Sequence, residues 1–180
     1  GLGDVYKRQL IEGVYSQEEV FIRELVQNSI DACTICRARS YQVNIHYQAK
    51  IILSIYTVDK QVRSVRIDDN GIGMSIKDVK DTLLWIGSSI GKNKDIETFV
   101  KENTGKQLIA TFGIGLLSCF RVADYILVTS HKENESPLKL KLNGISDTIT
   151  PKESNDLSVG STFYIEFDSK KYTVTVEELM

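Results

Sequence analysis

Apolar and polar positions divide the chain into a helix, a hairpin, two further helical patterns and a run of strands. Between residues 17 and 39, Val20, Phe21, Leu25 and Ile35 recur at helical spacing and predict a helix. Ser16 stands as its N-cap, and Glu19 three residues later completes a capping box. Residues 40–50 are polar, with strand character around 43–47. Residues 51–56 are β-branched and aromatic, Asp59-Lys60 turns the chain, and 62–68 return it as the second strand of a hairpin. Ser75 caps a second helix that runs to about Ile86, with Asp78 at its N3 position. Residues 87–107 form a lysine-rich tract with glycines and little periodicity, long for an idle loop. Residues 116–122 again have a helical pattern. Strands are predicted over 125–130, 138–142, 161–167 and 172–176, with 132–136 and 152–158 as exposed loops. This order predicts a two-layer α/β sandwich, its mixed, mainly antiparallel sheet covered by helices on one face. It is not the strict βαβ alternation of a doubly wound fold.

One part of the pattern does not fit a plain amphipathic helix. At about 100° per residue, Glu24, Asn28 and Asp31 fall within about 60° of one another on the first helix. A carboxylate, an amide and a second carboxylate are thereby stacked beside apolar neighbours. Burying such a row without partners costs several kcal/mol. The row is therefore either a solvated face or the lining of a site that meets something polar or ionic.

Composition narrows the class. The 180 residues are 42% hydrophobic and 26% charged, with a formal net charge of −2, which suits one domain with a real core. No apolar run approaches the roughly 20 residues of a membrane span, and the charge gives no electrostatic support for nucleic-acid binding. Three cysteines, an odd number, point to a reducing cytoplasmic compartment. Cys33 and Cys36 form a C-x-x-C pair inside a helix; two thiolates are too few for a structural zinc site, and burial is the simpler reading. Residues 1–9 look foreign, because Asp4 to Gln9 match the translation of a common sequencing adapter. The domain is expected over 10–180, truncated at both ends.

Two glycine turns carry further chemistry. Asp69-Asn70-Gly71-Ile72-Gly73-Met74 lies between a strand and a helix. A carboxylate at a strand end can accept a hydrogen bond from a planar amine such as that of adenine. Phe112-Gly113-Ile114-Gly115 leads into a helix start, where freed amides and the helix dipole favour phosphate. Neither turn has the third glycine of a dinucleotide fingerprint, and Gly105-Lys106 is not a P-loop, since Val100 and Gln107 stand at two of its required positions.

Glu24 to Ala32 resembles the N-box of the GHKL ATPases, the superfamily of gyrase, heat-shock-90 chaperones, histidine kinases and MutL. Asp69 to Met74 resembles the first glycine box, Phe112 to Ser118 the second, and Gly160-Ser161-Thr162 the last, threonine-bearing box. The four occur in family order over nearly the whole chain. Within the superfamily, Tyr15-Ser16, Phe21 to Leu25, Gly71 to Met74 and Val122-Ala123-Asp124 are most similar to the heat-shock-90 branch, as a divergent bacterial-type relative.

The resemblance implies a Bergerat-type ATP-binding fold using ATP and Mg²⁺. It implies that Glu24 activates the attacking water, that Asn28 is the metal ligand, and that Asp31 and Ala32 line the pocket. Asp69 would hold the adenine amine, with Gly71, Gly73 and Met74 close to the ring. Gly113, Ile114, Gly115 and Leu116 would wrap the phosphates under a lid formed by 87–107. Between Ser161 and Thr162, period two places Ser161 with Phe163, Ile165 and Phe167 on the apolar face, which selects Ser161. The chain departs from the chaperone pattern at Ser88, where a lysine is usual, and at Leu84-Trp85 and Leu116-Leu117. The implied activity is slow ATP hydrolysis driving a larger chaperone-like protein, a homodimer at full length that acts on client proteins, with no membrane or nucleic-acid role. An arginine from a following domain completes such sites, so this chain is expected to bind ATP better than it hydrolyses it. The alternatives are a non-hydrolysing nucleotide switch, which Glu24 argues against, and a MutL-like repair ATPase.

Overall fold

The computed structural model describes residues 20–83, 119–143, 152–153 and 158–180. Within them lie helix α1 (Val20–Gln42), strands β1 (Ile51–Val58) and β2 (Gln61–Asp69), and helix α2 (Ile76–Leu83). A 3₁₀ turn over Cys119–Arg121 precedes β3 (Ala123–His131), β4 (Leu138–Leu142), β5 (Lys152–Glu153), β6 (Gly160–Phe167) and the short helix α3 (Val176–Leu179). The strands form one six-stranded sheet in the order β1-β2-β6-β3-β4-β5. Every described pairing is antiparallel, in keeping with the mainly antiparallel sheet the sequence suggests.

Alternation fixes the two faces. On the core face Leu53 stands beside Ile67, Phe163 and Val128, and Ile55 beside Val65, Ile165 and Ile126. Phe21, Ile22 and Leu25 of α1 join these side chains, with Phe21 edge-on to Phe167 at 5.8 Å. The other face carries Arg66, which grips Asp68 through Nε and Nη2 at 2.8 and 2.7 Å. Tyr164 and Glu166, hydrogen-bonded to each other, lie on the same face, beside Tyr125 under the Lys141 ammonium.

Local chemistry explains most boundaries. The β1–β2 hairpin closes on Asp59 and Lys60, both at positive φ (49° and 66°), as a two-residue turn whose twist matches the strands requires. Ser75 and Asp78 exchange hydrogen bonds at the start of α2, where the Asp78 carboxylate also pairs with Lys132 at 2.8 Å.

Four expectations need correction. The first helix continues to Gln42 rather than ending at Arg39. Residues 43–47 are not a strand, because the segment bonds elsewhere: Ile45 N–H donates to the Ser40 carbonyl at 3.0 Å, and the Tyr47 hydroxyl to Asn70. Lys152 and Glu153 pair with β4 instead of lying in a loop. Residues 172–176 do not form a strand beyond one bridge from Thr175 to Gln61. Thr175 and Glu178 make a capping box that turns the chain into α3, while Tyr172 and Val174 still bury themselves in the core. The starts of the first helix and of the helical pattern at 116–122, and the tract 87–107, fall outside the described residues.

Candidate functional site

The buried stripe of α1 changes chemistry halfway along. Phe21, Ile22 and Leu25 enter the core, but one turn later the buried residues are Asn28, Ser29 and Asp31. The row read from the sequence is therefore buried at two of its three members. Among the described residues, neither the Oδ1 nor the Nδ2 of Asn28 has a hydrogen-bond partner, although the residue is 6% exposed. Such an amide is costly to leave unsatisfied. Asp31 accepts a long hydrogen bond from Gln27 Nε2 at 3.5 Å. Glu24 is less enclosed, its side chain 17% exposed and 3.7 Å from the Arg23 guanidinium.

The α1 helix is held against the sheet by the first glycine turn. Ile72 N–H donates to the Ala32 carbonyl at 3.2 Å, and a Cβ on Gly71 would stand 2.6 Å from the Ala32 Cβ. Only glycine permits that approach. Gly73, at φ +68°, sits where a Cβ would lie 2.0 Å from the His131 carbonyl oxygen, so the turn is pressed onto the end of β3 as well.

Asp69 ends β2 between these contacts. Its carboxylate accepts from Ser29 Oγ at 2.8 Å and from Gly71 N–H at 2.9 Å. Burial pushes its pKa above the ordinary value of 3.8, against the lowering effect of those hydrogen bonds. The neighbouring Asn70 side chain ties the 45–50 segment in place. Its Oδ1 accepts from Lys50 N–H at 2.8 Å and Tyr47 hydroxyl at 3.1 Å, and its Nδ2 donates to the Gln48 carbonyl at 2.9 Å. The Cys33 thiol lies 3.7 Å from the same Oδ1, and burial raises the pKa of both Cys33 and Cys36. These thiols are packing groups.

Insertion of β6 between β2 and β3 brings three remote positions side by side. Asp69 pairs with Ser161, and Ser161 with Ser130. Ser161 is buried on the core face, its hydroxyl 2.7 Å from that of Ser130. Thr162 points the other way and donates to Asp68 at 2.6 Å. Asn28, Asp31, Ala32, Asp69, Gly71, Gly73, Met74 and Ser161 thus belong to one region formed by α1, the glycine turn and the end of the β2–β6 ladder. Gly113, Ile114, Gly115 and Leu116 fall outside the described residues. Sequence reasoning missed Ser29 and Ser130. Ser130 left a signal, a lone hydroxyl ending the apolar row Ile126, Val128; Ser29 left none apart from its place in the polar turn of α1.

Two cavities border this region among the described residues. One of about 370 Å³ reaches the cluster itself, lined by Asp69, Ser130 and Ser161 together with Arg66, Asp68 and Thr162 at the end of the open sheet face. The other, about 700 Å³, lies beside the end of α1 and is lined by Cys36, Arg39, Tyr47, Ile72 and Glu133. No helix among the described residues is long and apolar enough to cross a membrane.

An antiparallel sheet with helices on one face, and a buried carboxylate at a strand end near an unpartnered helical amide, define an α/β fold of the GHKL ATPase type. Residues 15–169 match the family of histidine kinase-, DNA gyrase B- and HSP90-like ATPases, and the chain belongs to that family. It is 40% identical to the chaperone protein HtpG of Wigglesworthia glossinidia brevipalpis over 133 residues, 70% of this chain and 20% of that protein. It is 30% identical to HtpG of Rickettsia akari over 170 residues, covering 90% and 26% of the two chains. With HtpG of Nitrosomonas eutropha it shares 36% identity over 131 residues, 69% and 20% of the two. The chain therefore spans a fifth to a quarter of the length of these relatives.

Proposed function

We propose that this chain binds Mg·ATP between α1 and the end of the β2–β6 ladder and hydrolyses it slowly, as the motor of a larger HSP90-like chaperone. The observation that carries the reading is Asn28, a buried side-chain amide whose oxygen and nitrogen both lack partners among the described residues. A buried oxygen donor kept free is what a cation bridged to phosphates needs. Among the described residues no cluster of three His, Cys, Asp or Glu could hold a metal by itself, and a site completed by the nucleotide's own phosphates fits that composition. Magnesium bound there would neutralise charge on the phosphates, with Asn28 Oδ1 as its protein ligand.

Each side chain then has a role. Asp69, held by Ser29 and Gly71, accepts hydrogen from the adenine amine, and Ser161 stands beside it in register. Asp31 and Ala32 line the helix side, while Gly71, Gly73 and Met74 line the turn. Glu24, one turn before Asn28 and partly open to solvent, orients the attacking water and takes its proton. Gly113, Ile114, Gly115 and Leu116 wrap the phosphates, and residues 87–107 close as a lid. In the longer protein, lid closure drives a homodimer acting on client proteins in the cytoplasm.

Calorimetric titration with ATP, with and without Mg²⁺, tests the reading together with turnover of Glu24→Ala. Mg-dependent binding is expected in both forms, with turnover lost in the variant. Absence of binding removes the nucleotide site; equal turnover removes Glu24 as the base and leaves a switch.

A further inference from the structure

Ser130 is 2% exposed, and its hydroxyl meets three groups from two segments, the glycine turn and β6. Met74 N–H lies 2.8 Å away, the Gly160 carbonyl oxygen 3.2 Å, and the Ser161 hydroxyl 2.7 Å. The chemistry of these partners decides where the protons go. A serine hydroxyl has one proton and two acceptor positions. Met74 N–H can only donate, so it takes one acceptor position. The Gly160 carbonyl can only accept, so what it takes from Ser130 is the hydroxyl proton. If Ser161 donates to Ser130, every capacity of Ser130 is used and the carbonyl is served. If Ser130 donates to Ser161 instead, a buried acceptor position on Ser130 is idle and Gly160 loses that hydrogen. Buried polar groups favour the arrangement that leaves none unmet.

We propose that Ser130 is a positioning residue that holds the Ser161 hydroxyl as an acceptor toward the ligand. Ser161 lies next to Asp69 across the β2–β6 ladder, and an ionised Asp69 also only accepts. The floor of the site then offers acceptors alone. It takes a purine whose six-position carries an amine and turns away one whose six-position carries an oxygen, because two facing acceptors leave both without a hydrogen. Removal of Ser130 frees the Ser161 proton to rotate into the site and to serve an oxygen on the base.

The inference rests on the reading of this region as a nucleotide site, and the test separates the two. ATP and inosine triphosphate differ at that position and in the hydrogen that inosine carries on N1, so the change between wild type and variant in the ratio of their dissociation constants, measured by calorimetry with Mg²⁺, reads the effect of Ser130 on the floor. Ser130→Ala is expected to lower the preference for ATP by about tenfold, the scale of one hydrogen bond, mainly by strengthening inosine triphosphate binding. Ser130→Cys, closer in volume and a weak hydrogen-bonding group, is expected to lower it in the same direction and serves if the alanine variant does not fold. Ser130→Thr, which keeps the hydroxyl, is expected to restore the wild-type ratio. An unchanged ratio in the alanine or cysteine variant, or equal weakening of both nucleotides, overturns the role of Ser130 and leaves the site intact. Failure of the wild-type chain to bind either nucleotide overturns the site itself.

Discussion

Replacing Asn28 by leucine asks whether a residue is kept for a ligand at the expense of the empty protein. The two side chains are of similar size, and the position is 6% exposed on α1 with no partner for either polar atom. An unsatisfied buried polar group costs about 1–3 kcal/mol. Leucine removes both such atoms, but its branch must fit space shaped for a flat amide, which takes back up to about 1.5 kcal/mol. Relief of both atoms, less that strain and with roughly 0.5 kcal/mol from the better helix propensity of leucine, leaves a net gain of at least about 1 kcal/mol. For a domain of this size each kcal/mol moves the melting temperature by about 2–4 °C, so Asn28→Leu without nucleotide is expected to melt at least about 2 °C above wild type. The order reverses in effect when ligand is added. Wild type at a hundredfold excess of Mg·ATP over its dissociation constant gains about 2.7 kcal/mol, and the variant loses the Mg-dependent part of that gain. Differential scanning calorimetry on both proteins, with ATP and with ATP plus Mg²⁺, reads all the arms. A fall in the empty variant's melting temperature, a rise no larger than the propensity share, or a retained Mg-dependent shift refutes the reasoning.

Two further outcomes are expected. Asp69 has a folded pKa raised by burial, so the folded chain holds that proton more tightly than the unfolded one, and the resulting stability is lost as pH rises from about 3.8 through the raised value. Nucleotide affinity runs oppositely, since the amine needs the ionised carboxylate, and is lost as pH falls through the same value. In Asp68 and Asp78 burial is outweighed by hydrogen bonds from Arg66 and Thr162, and from Lys132 and Ser75, so they titrate below the ordinary range and do not mask the effect. Urea unfolding of wild type and Asp69→Asn against pH should diverge above about pH 4, and parallel profiles would sink the assignment. Gly73→Ala places a Cβ 2.0 Å from the His131 carbonyl at φ +68°, and is expected to cost about 2–5 kcal/mol from strain and overpacking together. A urea midpoint corresponding to less than 0.5 kcal/mol (about the noise of a surface change) would show that the turn yields easily.

Much of this protein was legible in its sequence, because the signals concerned are local. The β1–β2 hairpin, β3, β4 and β6 follow from period-two alternation with a core on one side, and α2 from its Ser75–Asp78 capping box. The choice of Ser161 over Thr162 for the apolar face follows from the same alternation, and the structure puts the two side chains on opposite faces. Local reasoning failed where a competing partner was remote or a short motif outranked a pattern. Residues 43–47 have β-branched composition, but Tyr47 donates its hydroxyl proton to Asn70 and Ile45 its N–H to the Ser40 carbonyl. Residues 172–176 alternate like a strand, but the Thr175–Glu178 cap ends the pattern in a helix.

The sequence by itself determined which residues are polar in an otherwise apolar setting: the Glu24–Asn28–Asp31 row, Asp69 at a strand end, and the glycines around it. Tertiary structure alone decided how deeply each is buried and what stands beside it. The row became a buried, unpartnered amide only because Gly71 lets Ala32 approach to contact distance, seating α1 on the glycine turn. Asp69, Ser130 and Ser161 became neighbours only because β6 enters the sheet between β2 and β3. Strand order depends on which surfaces bury each other across the whole domain, and no window of sequence contains that information.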